Sequence, residues 1–463
     1  MPIRSLKKPQ EYAGDPPGPF SSGGRPLRIL LDLPAASRTD DTVMLDKLTV
    51  PNPDHMLWSS CQRNDIEAYW LAEDGENAAG AVHLGEIDRD SDNRLFTVVR
   101  EKGAWMHGIS FYRQLEQFAG NAGPRGLEVL TKAALADELR VDLIATSDED
   151  LLALTGGYGR RVNPMTATDA LAIVGLYLRA GENYEQRDGK LKVGISFDML
   201  AWSAVRSQIP AGWPWASALV DHDSIANDDA ALIFEALFER LTRALTQRDI
   251  LHRAMNEPAG NRSRKQMVEA FDYIMMNLVG AFDATARSAH LGAGRPWKQR
   301  HAAKWQSRWR TQIGVPALET MFDDTQPAAD LFAVLRALRN TLHGAGLGSL
   351  TARHSGKDDE VLAILPRDDA AEIVERLTRI DPNEDWGIGD TSPLGSQFDA
   401  ARLTEALLPR ALVTLNDVVS LCPLWALQSS GRTLPTGPAD KMPFDLGTST
   451  RANLLYGLPL PDQ

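Results

Sequence analysis

The chain has 463 residues, 43% hydrophobic and 24% charged, which is ordinary globular usage with ample material for a core. Lys and Arg number 49 against 62 Asp and Glu, so the formal net charge is −13. That excludes a globally basic nucleic-acid coat protein and leaves local basic patches open. No uncharged apolar run is long enough to span a bilayer, and the basic, polar N-terminus lacks the apolar core of a secretory signal. The only two cysteines, Cys61 and Cys422, are far apart in sequence, which argues against a disulfide scaffold or structural zinc. Together these features predict a soluble cytoplasmic protein of bacterial type with reduced thiols, of about two or three domains by length.

Residues 1–26, rich in Pro, Gly, Ser and Lys, read as a flexible arm. PLRILLDLP is a short apolar run ending in Asp32 and predicts a buried strand; RLFTVVRE predicts another. Between them, residues 52–93 carry acidic and Gly-rich turns that fix no element. GPRGLEVLTKAALADEL has helical spacing. VDLIATSDEDLL reads as a strand, a Thr-Ser-Asp end and a helix start, with Asp148 suited to cap the helix. PMTATDALAIVGLYLRA predicts a helix capped by Thr166 or Thr168. This alternation predicts an α/β domain with a mainly parallel sheet over residues 27–187.

Residues 188–428 read as a mostly helical domain. The strongest segments lie at 230–255, 265–290, 304–313, 328–344 and 368–380. VLAILP is one short strand. Residues 403–422 are helical, and Pro409 is expected to kink or end that helix. Residues 429–463 read as an irregular tail.

Carboxylates at the C-terminal ends of parallel strands face the crevice where open α/β sheets bind ligands. Asp32 ends the first strand, Asp148 follows the strand DLIATS, and Glu128 lies on the helix before it. Three such acids suit Mg²⁺ or Mn²⁺, which would activate water at a phosphate. LEVLTKAALADELRVDLIATSDEDLL and NPMTATDALAIVGLYLR resemble the closing portion of a PIN-like nuclease domain. The resemblance implies a metal site formed by Asp32, Glu128 and Asp148. The family's central acid stays open among Glu67, Glu73 and Glu86.

LFAVLRALRNTLHGAGLG places Arg336, Arg339 and His343 on one helical stripe with Asn340 adjacent, and Gly344 is suited to end the helix. Histidine titrates near neutrality and suits proton transfer with a ribose 2′-hydroxyl; arginine grips phosphate and stabilises its transition-state charge. The pattern suits RNA cleavage without a metal. It resembles the Arg–spacer–His motif of the HEPN superfamily. Six residues separate Arg336 from His343, and two separate Asn340 from His343, one fewer than in the commoner family form. Both Arg336 and Arg339 therefore stay open as the working arginine. The resemblance implies a helical domain of an RNA-directed effector, used as a ribonuclease or RNA binder in stress or phage defence, and often a homodimer.

Residues 287–313 hold seven cations and no Asp or Glu, with Trp297, Trp305 and Trp309 interleaved. Cations attract phosphates and exposed aromatics stack on unpaired bases. Lys298, Arg300, Lys304, Arg308 and Trp305, with Asn340, are thus candidate RNA contacts. The leading expectation is a metal-independent endoribonuclease acting through His343, Arg339 and Arg336. The alternatives are a metal-dependent PIN-like nuclease and a non-catalytic RNA-binding or scaffold protein.

Overall fold

The computed structural model describes residues 18–20, 24–34, 37, 52–63, 65–72, 82–86, 94–98, 129–130, 132–137, 139–154, 163–181, 185–188, 191–194, 197–212, 215, 225–257, 260–305, 307–344, 347–352, 360–392, 395–423 and 446–460. The chain forms two compact units. One comprises Met1–Ile195 with Leu454–Gly457; the other comprises Ser196–Asn453 with Leu458–Gln463.

The first unit is built on a six-stranded sheet. Its strands are β1 (Leu27–Asp32), β2 (Ile66–Ala72), β3 (Val82–Glu86), β4 (Arg94–Val98), β5 (Leu143–Thr146) and β6 (Pro164–Met165), in the order β4-β3-β2-β1-β5-β6. The four strands β2, β1, β5 and β6 are parallel, and β3 and β4 extend one edge antiparallel. Leu27, Ile29, Leu30 and Leu31 of the central β1 are fully buried, as expected of a strand covered on both faces. The register sets Asp32 opposite Thr146. Residues 52–93, which fixed no element in sequence, supply α1 (Pro53–Cys61), β2 and β3. After β5, Asp148 caps α2 (Glu149–Leu152) by accepting from the backbone N–H groups of Asp150 and Leu151 at 3.1 and 3.4 Å. Thr166 caps α3 (Ala167–Ala180) through the N–H of Asp169. A hairpin of β7 (Glu185–Asp188) and β8 (Leu191–Gly194) follows.

The second unit is mainly helical: α4 (Phe197–Gln208), α5 (Ile225–Asn256), α6 (Asn261–Gly292), a 3₁₀ helix (Trp297–Ala302), α7 (Ser307–Ile313), α8 (Pro316–Met321) and α9 (Pro327–Gly344). Then β9 (Gly348–Ala352), β10 (Glu360–Leu365), α10 (Arg367–Ile380), β11 (Ile388–Ser392), β12 (Gly395–Phe398) and α11 (Ala400–Leu421) complete it. The strands form a four-stranded antiparallel sheet in the order β11-β12-β10-β9, of which only β10 was legible as VLAILP. Helices α5 and α6, 32 residues each, pack along one another and are joined by residues 257–260. Such a short connection makes neighbours antiparallel. Phe271 meets Phe398 of β12 at 5.3 Å between ring centroids, and Phe282 meets Phe332 of α9 at 5.0 Å.

Two expectations are corrected. Pro409 does not end α11, which runs through it from Ala400 to Leu421. A proline inside a helix costs about 3 kcal/mol, but Leu407, Leu408, Ala411, Leu412 and Leu415 are all buried around it, and their burial outweighs that loss. The tail is also partly ordered: Leu446–Tyr456 forms α12. The Leu455 carbonyl accepts from the buried Arg179 at 2.7 Å, and the Arg179 guanidinium lies 3.9 Å from the Tyr456 ring.

The helical unit also buries an ion cluster. Glu405 of α11 receives both Arg248 Nε and Nη2, the latter at 2.6 Å, and His252 Nε2 at 2.8 Å. Arg248, His252 and Glu405 are 0%, 3% and 1% exposed. Burial alone would push the Glu405 carboxyl up. The Arg248 charge and the hydrogen bonds from His252 and Arg248 overcome that and hold it well below the carboxylate range. Glu405→Ala removes the carboxylate that Arg248 and His252 share in the interior and should cost about 3–5 kcal/mol in urea unfolding at neutral pH. A carboxyl held below its ordinary 4.5 stabilises the fold fully above that pH, and the contribution is lost as pH falls beneath it. Wild-type stability in the variant would contradict this role.

Candidate nucleic-acid interface

The N-terminal acids do converge, around an ammonium. Lys132, on a helical stretch over residues 132–137, places Nζ 3.0 Å from Asp32 Oδ2 and 3.5 Å from Asp148 Oδ2. Thr146 donates its hydroxyl to Asp32 at 2.8 Å and accepts the Asp148 N–H at 3.0 Å. The strand ends thus build one small polar cluster, as the alternation of β1 and β5 predicted. Its centre is spanned by a cation the chain supplies itself. Glu128 lies outside the described residues, as does Glu73, and of Glu86 only the backbone is described. Glu67 belongs elsewhere. It accepts from Arg28 at 2.7 Å near the start of the parallel strands, four residues before Asp32 along β1, or about 13 Å. Among the described residues, no group of three or more His, Cys, Asp or Glu is placed to hold a metal. The Lys132 ammonium stands beside both carboxylates.

Helix α9 forms where the sequence placed it. Leu331, Val334, Leu335 and Leu338 fill its buried side, while Arg336 and Asn340 are exposed and Arg339 is half-buried. Asp330 fixes its first turn: it is 2% exposed and accepts from Arg376 at 2.9 Å and from Arg379 at 2.6 Å. The Arg379 hydrogen bond leads in holding its carboxyl below the usual range. The Arg336 guanidinium sits 5.7 Å from the Phe332 ring centroid. Position 343 lies within α9, one turn beyond Arg339; the His343 side chain lies outside the described residues.

The basic strip divides in two. Lys298, Lys304 and Arg308 are exposed and Arg300 is half-buried. Trp305, expected to stack on bases, is a core anchor instead. It is 4% exposed, its Nε1–H donates to the Phe282 carbonyl at 2.8 Å and to Thr285 Oγ1 at 3.2 Å, and its ring stacks on Phe322 at 4.8 Å. Trp309 is likewise buried and packs edge-on against Trp305 at 5.2 Å. Burial of both indoles takes Trp305 and Trp309 out of the predicted RNA surface; the Trp297 side chain lies outside the described residues.

That anchoring produces a constellation that sequence reasoning missed. Phe282 and Thr285 flank Asp283, so the Trp305 hydrogen bonds draw Lys304 toward that carboxylate. Phe282 packs against Phe332, which brings α9 and Arg339 to the same place. Arg287 stands one turn along α6. Arg240 of α5 arrives over Gly280, where a Cβ would fall 2.6 Å from the Arg240 Cζ. Asp283 is half-buried, and burial pushes its carboxyl up. The charges of Arg287, Arg339, Lys304 and Arg240 oppose that, in that order, without cancelling it. The Nε atoms of Arg287 and Arg339 are buried and meet no acceptor among the described residues. The window of cations read from sequence begins at residue 287, four positions after the acid at its centre. The i, i+4 spacing of Asp283 and Arg287 was the available signal.

Comparison with protein-family models, with curated proteins and with solved structures gives no match, so any functional reading of this chain rests on its own residues.

The Lys132 clasp has a stability consequence. Lys132→Met leaves Asp32 and Asp148 facing each other without their shared cation, and should lose about 1–3 kcal/mol in urea unfolding at neutral pH. An unchanged midpoint would show that the carboxylates do not need the ammonium.

Proposed function

We propose that the helical unit is an RNA-directed, HEPN-like module of a bacterial stress or defence effector, with a metal-independent endoribonuclease site on α9. The supporting observation is Arg339: a half-buried arginine whose Nε has no acceptor among the described residues, one turn before position 343 and beside the exposed Arg336. A buried N–H without an acceptor is unfavourable, and a phosphodiester could supply an acceptor for the Arg339 Nε–H.

In this reading Arg336 and Arg339 hold the phosphate and balance its charge as the phosphorus becomes pentavalent. His343 takes the proton of the ribose 2′-hydroxyl, the 2′ oxygen bonds to phosphorus, and the bond to the 5′ oxygen breaks. The proton passes to the departing 5′ oxygen, leaving a 2′,3′-cyclic phosphate and a 5′-hydroxyl end. No step needs a metal. We read the α/β unit as PIN-like, from its parallel strands and its acids at the ends of β1 and β5. The Lys132 bridge argues that it does not run the metal chemistry of that family.

Labelled single-stranded RNA incubated with the full chain in EDTA tests the proposal. Wild type should cleave it. His343→Ala should reduce the rate by about 10²–10⁴-fold while leaving RNA affinity in place. Arg339→Ala should weaken both. Cleavage that appears only with Mn²⁺ would move the chemistry to the strand ends, and full activity in His343→Ala would remove the assignment.

A further inference from the structure

At Asp283 of α6 the cations outnumber the acid they act on. Three arginines and a lysine, from α5, α6, α9 and the segment after the 3₁₀ helix, act by charge on one carboxylate. Two other clusters in this unit close on their partners. Arg248 and His252 share Glu405, and Asp330 takes Arg376 and Arg379, whose other hydrogen bonds go to Glu372 and Glu375. At Asp283 two guanidinium Nε groups stay buried with no acceptor among the described residues. Gly280 is the local device that permits this. With no Cβ, it lets the Arg240 guanidinium lie against α6 one turn before Asp283.

We propose that Arg240, Arg287, Lys304 and Arg339 form a phosphate-binding subsite that takes a phosphodiester of single-stranded RNA adjacent to the one cleaved on α9. Asp283 is the resident negative charge among these cations in the free protein. This rests on the reading of α9 as RNA-directed. It adds to that reading Arg240, Arg287 and Asp283, which the Arg–His pattern does not include, and gives Lys304 a specific place. Arg339 joins the two sites, since it belongs to the α9 stripe and also faces Asp283.

The test uses the full chain and fluorescein-labelled 2′-O-methyl oligouridine of about 20 nucleotides, longer than a typical single-strand site. Without a 2′-hydroxyl this probe binds and is not cut. Anisotropy titrations at several KCl concentrations give the affinity and its salt slope. Arg287→Ala should weaken binding about tenfold and reduce the slope by about 0.7, the share of one phosphate contact on a single strand. Gly280→Ala should also weaken binding. Its charge is that of wild type, and only the seat of Arg240 is lost. Asp283→Asn removes the internal competitor and should tighten binding. Arg243→Ala, at an exposed position paired with Glu239 on α5, should change nothing. Thermal melts identify any variant that fails to fold, and Gly280→Ala and Arg287→Ala are independent routes to the same answer. If wild type binds and both variants bind equally well with the same slope, the subsite is overturned while the α9 reading stands. If wild type does not bind the probe, both are overturned.

Discussion

The buried meeting of Arg248, His252 and Glu405 sets the geometry of the helical unit. Three ionisable groups held out of water require close, well-aligned partners, because a loosened contact leaves an unpaired charge in a low-dielectric interior. The cluster therefore fixes α5 on α11 in one register. Arg240 stands eight residues earlier on α5, about 12 Å along its axis, and its place over Gly280 follows from that register. On α6 itself, Phe282 and its contact with Trp305 do the same for α9 and for Lys304. The cation cluster at Asp283 is thus placed by contacts that are themselves apolar or electrically matched.

The acids of the helical unit differ in how closely their cations approach. Glu405 and Asp330 each sit among cations, and both carboxyls are held below their ordinary range. Asp283 also sits among cations, yet its carboxyl is pushed up, because burial outweighs charges that are near it without closing on it. A fold optimised only for stability would close those contacts or replace the groups with apolar ones. Two buried Nε–H groups without an acceptor among the described residues, on Arg287 and Arg339, suit a site that takes an anion from outside. In the α/β unit the opposite has happened. Lys132 stands between Asp32 and Asp148 and offsets one of their two negative charges.

Much of the fold was legible because it rests on local signals. The apolar run ending in Asp32, the Asp148 and Thr166 caps and the 3.6-residue periodicity of α5, α6 and α9 all reside in short windows of sequence. The features that escaped depend on distant partners. The antiparallel strands β9, β11 and β12 are short and mixed in polarity, and they become strands only through pairing. Trp305 is indistinguishable in sequence from an exposed base-stacking residue until Phe282 and Thr285 supply its acceptors. Pro409 is tolerated because of apolar neighbours on both sides of it. Arg336, Arg339 and position 343 could be read as one stripe because one helix carries them. Arg240, Asp283 and Lys304 come from three segments, and only the packing of α5, α6 and the strip brings them together.

The central claim is that RNA meets this protein on the face built from α6, α9 and the basic strip. Photo-crosslinking of 4-thiouridine-containing RNA to the full chain, with peptide mapping of the adducts, tests it most directly. The account predicts crosslinked peptides drawn from residues 287–310 and 336–343. Crosslinks confined to the α/β unit, around Asp32 and Asp148, would contradict it.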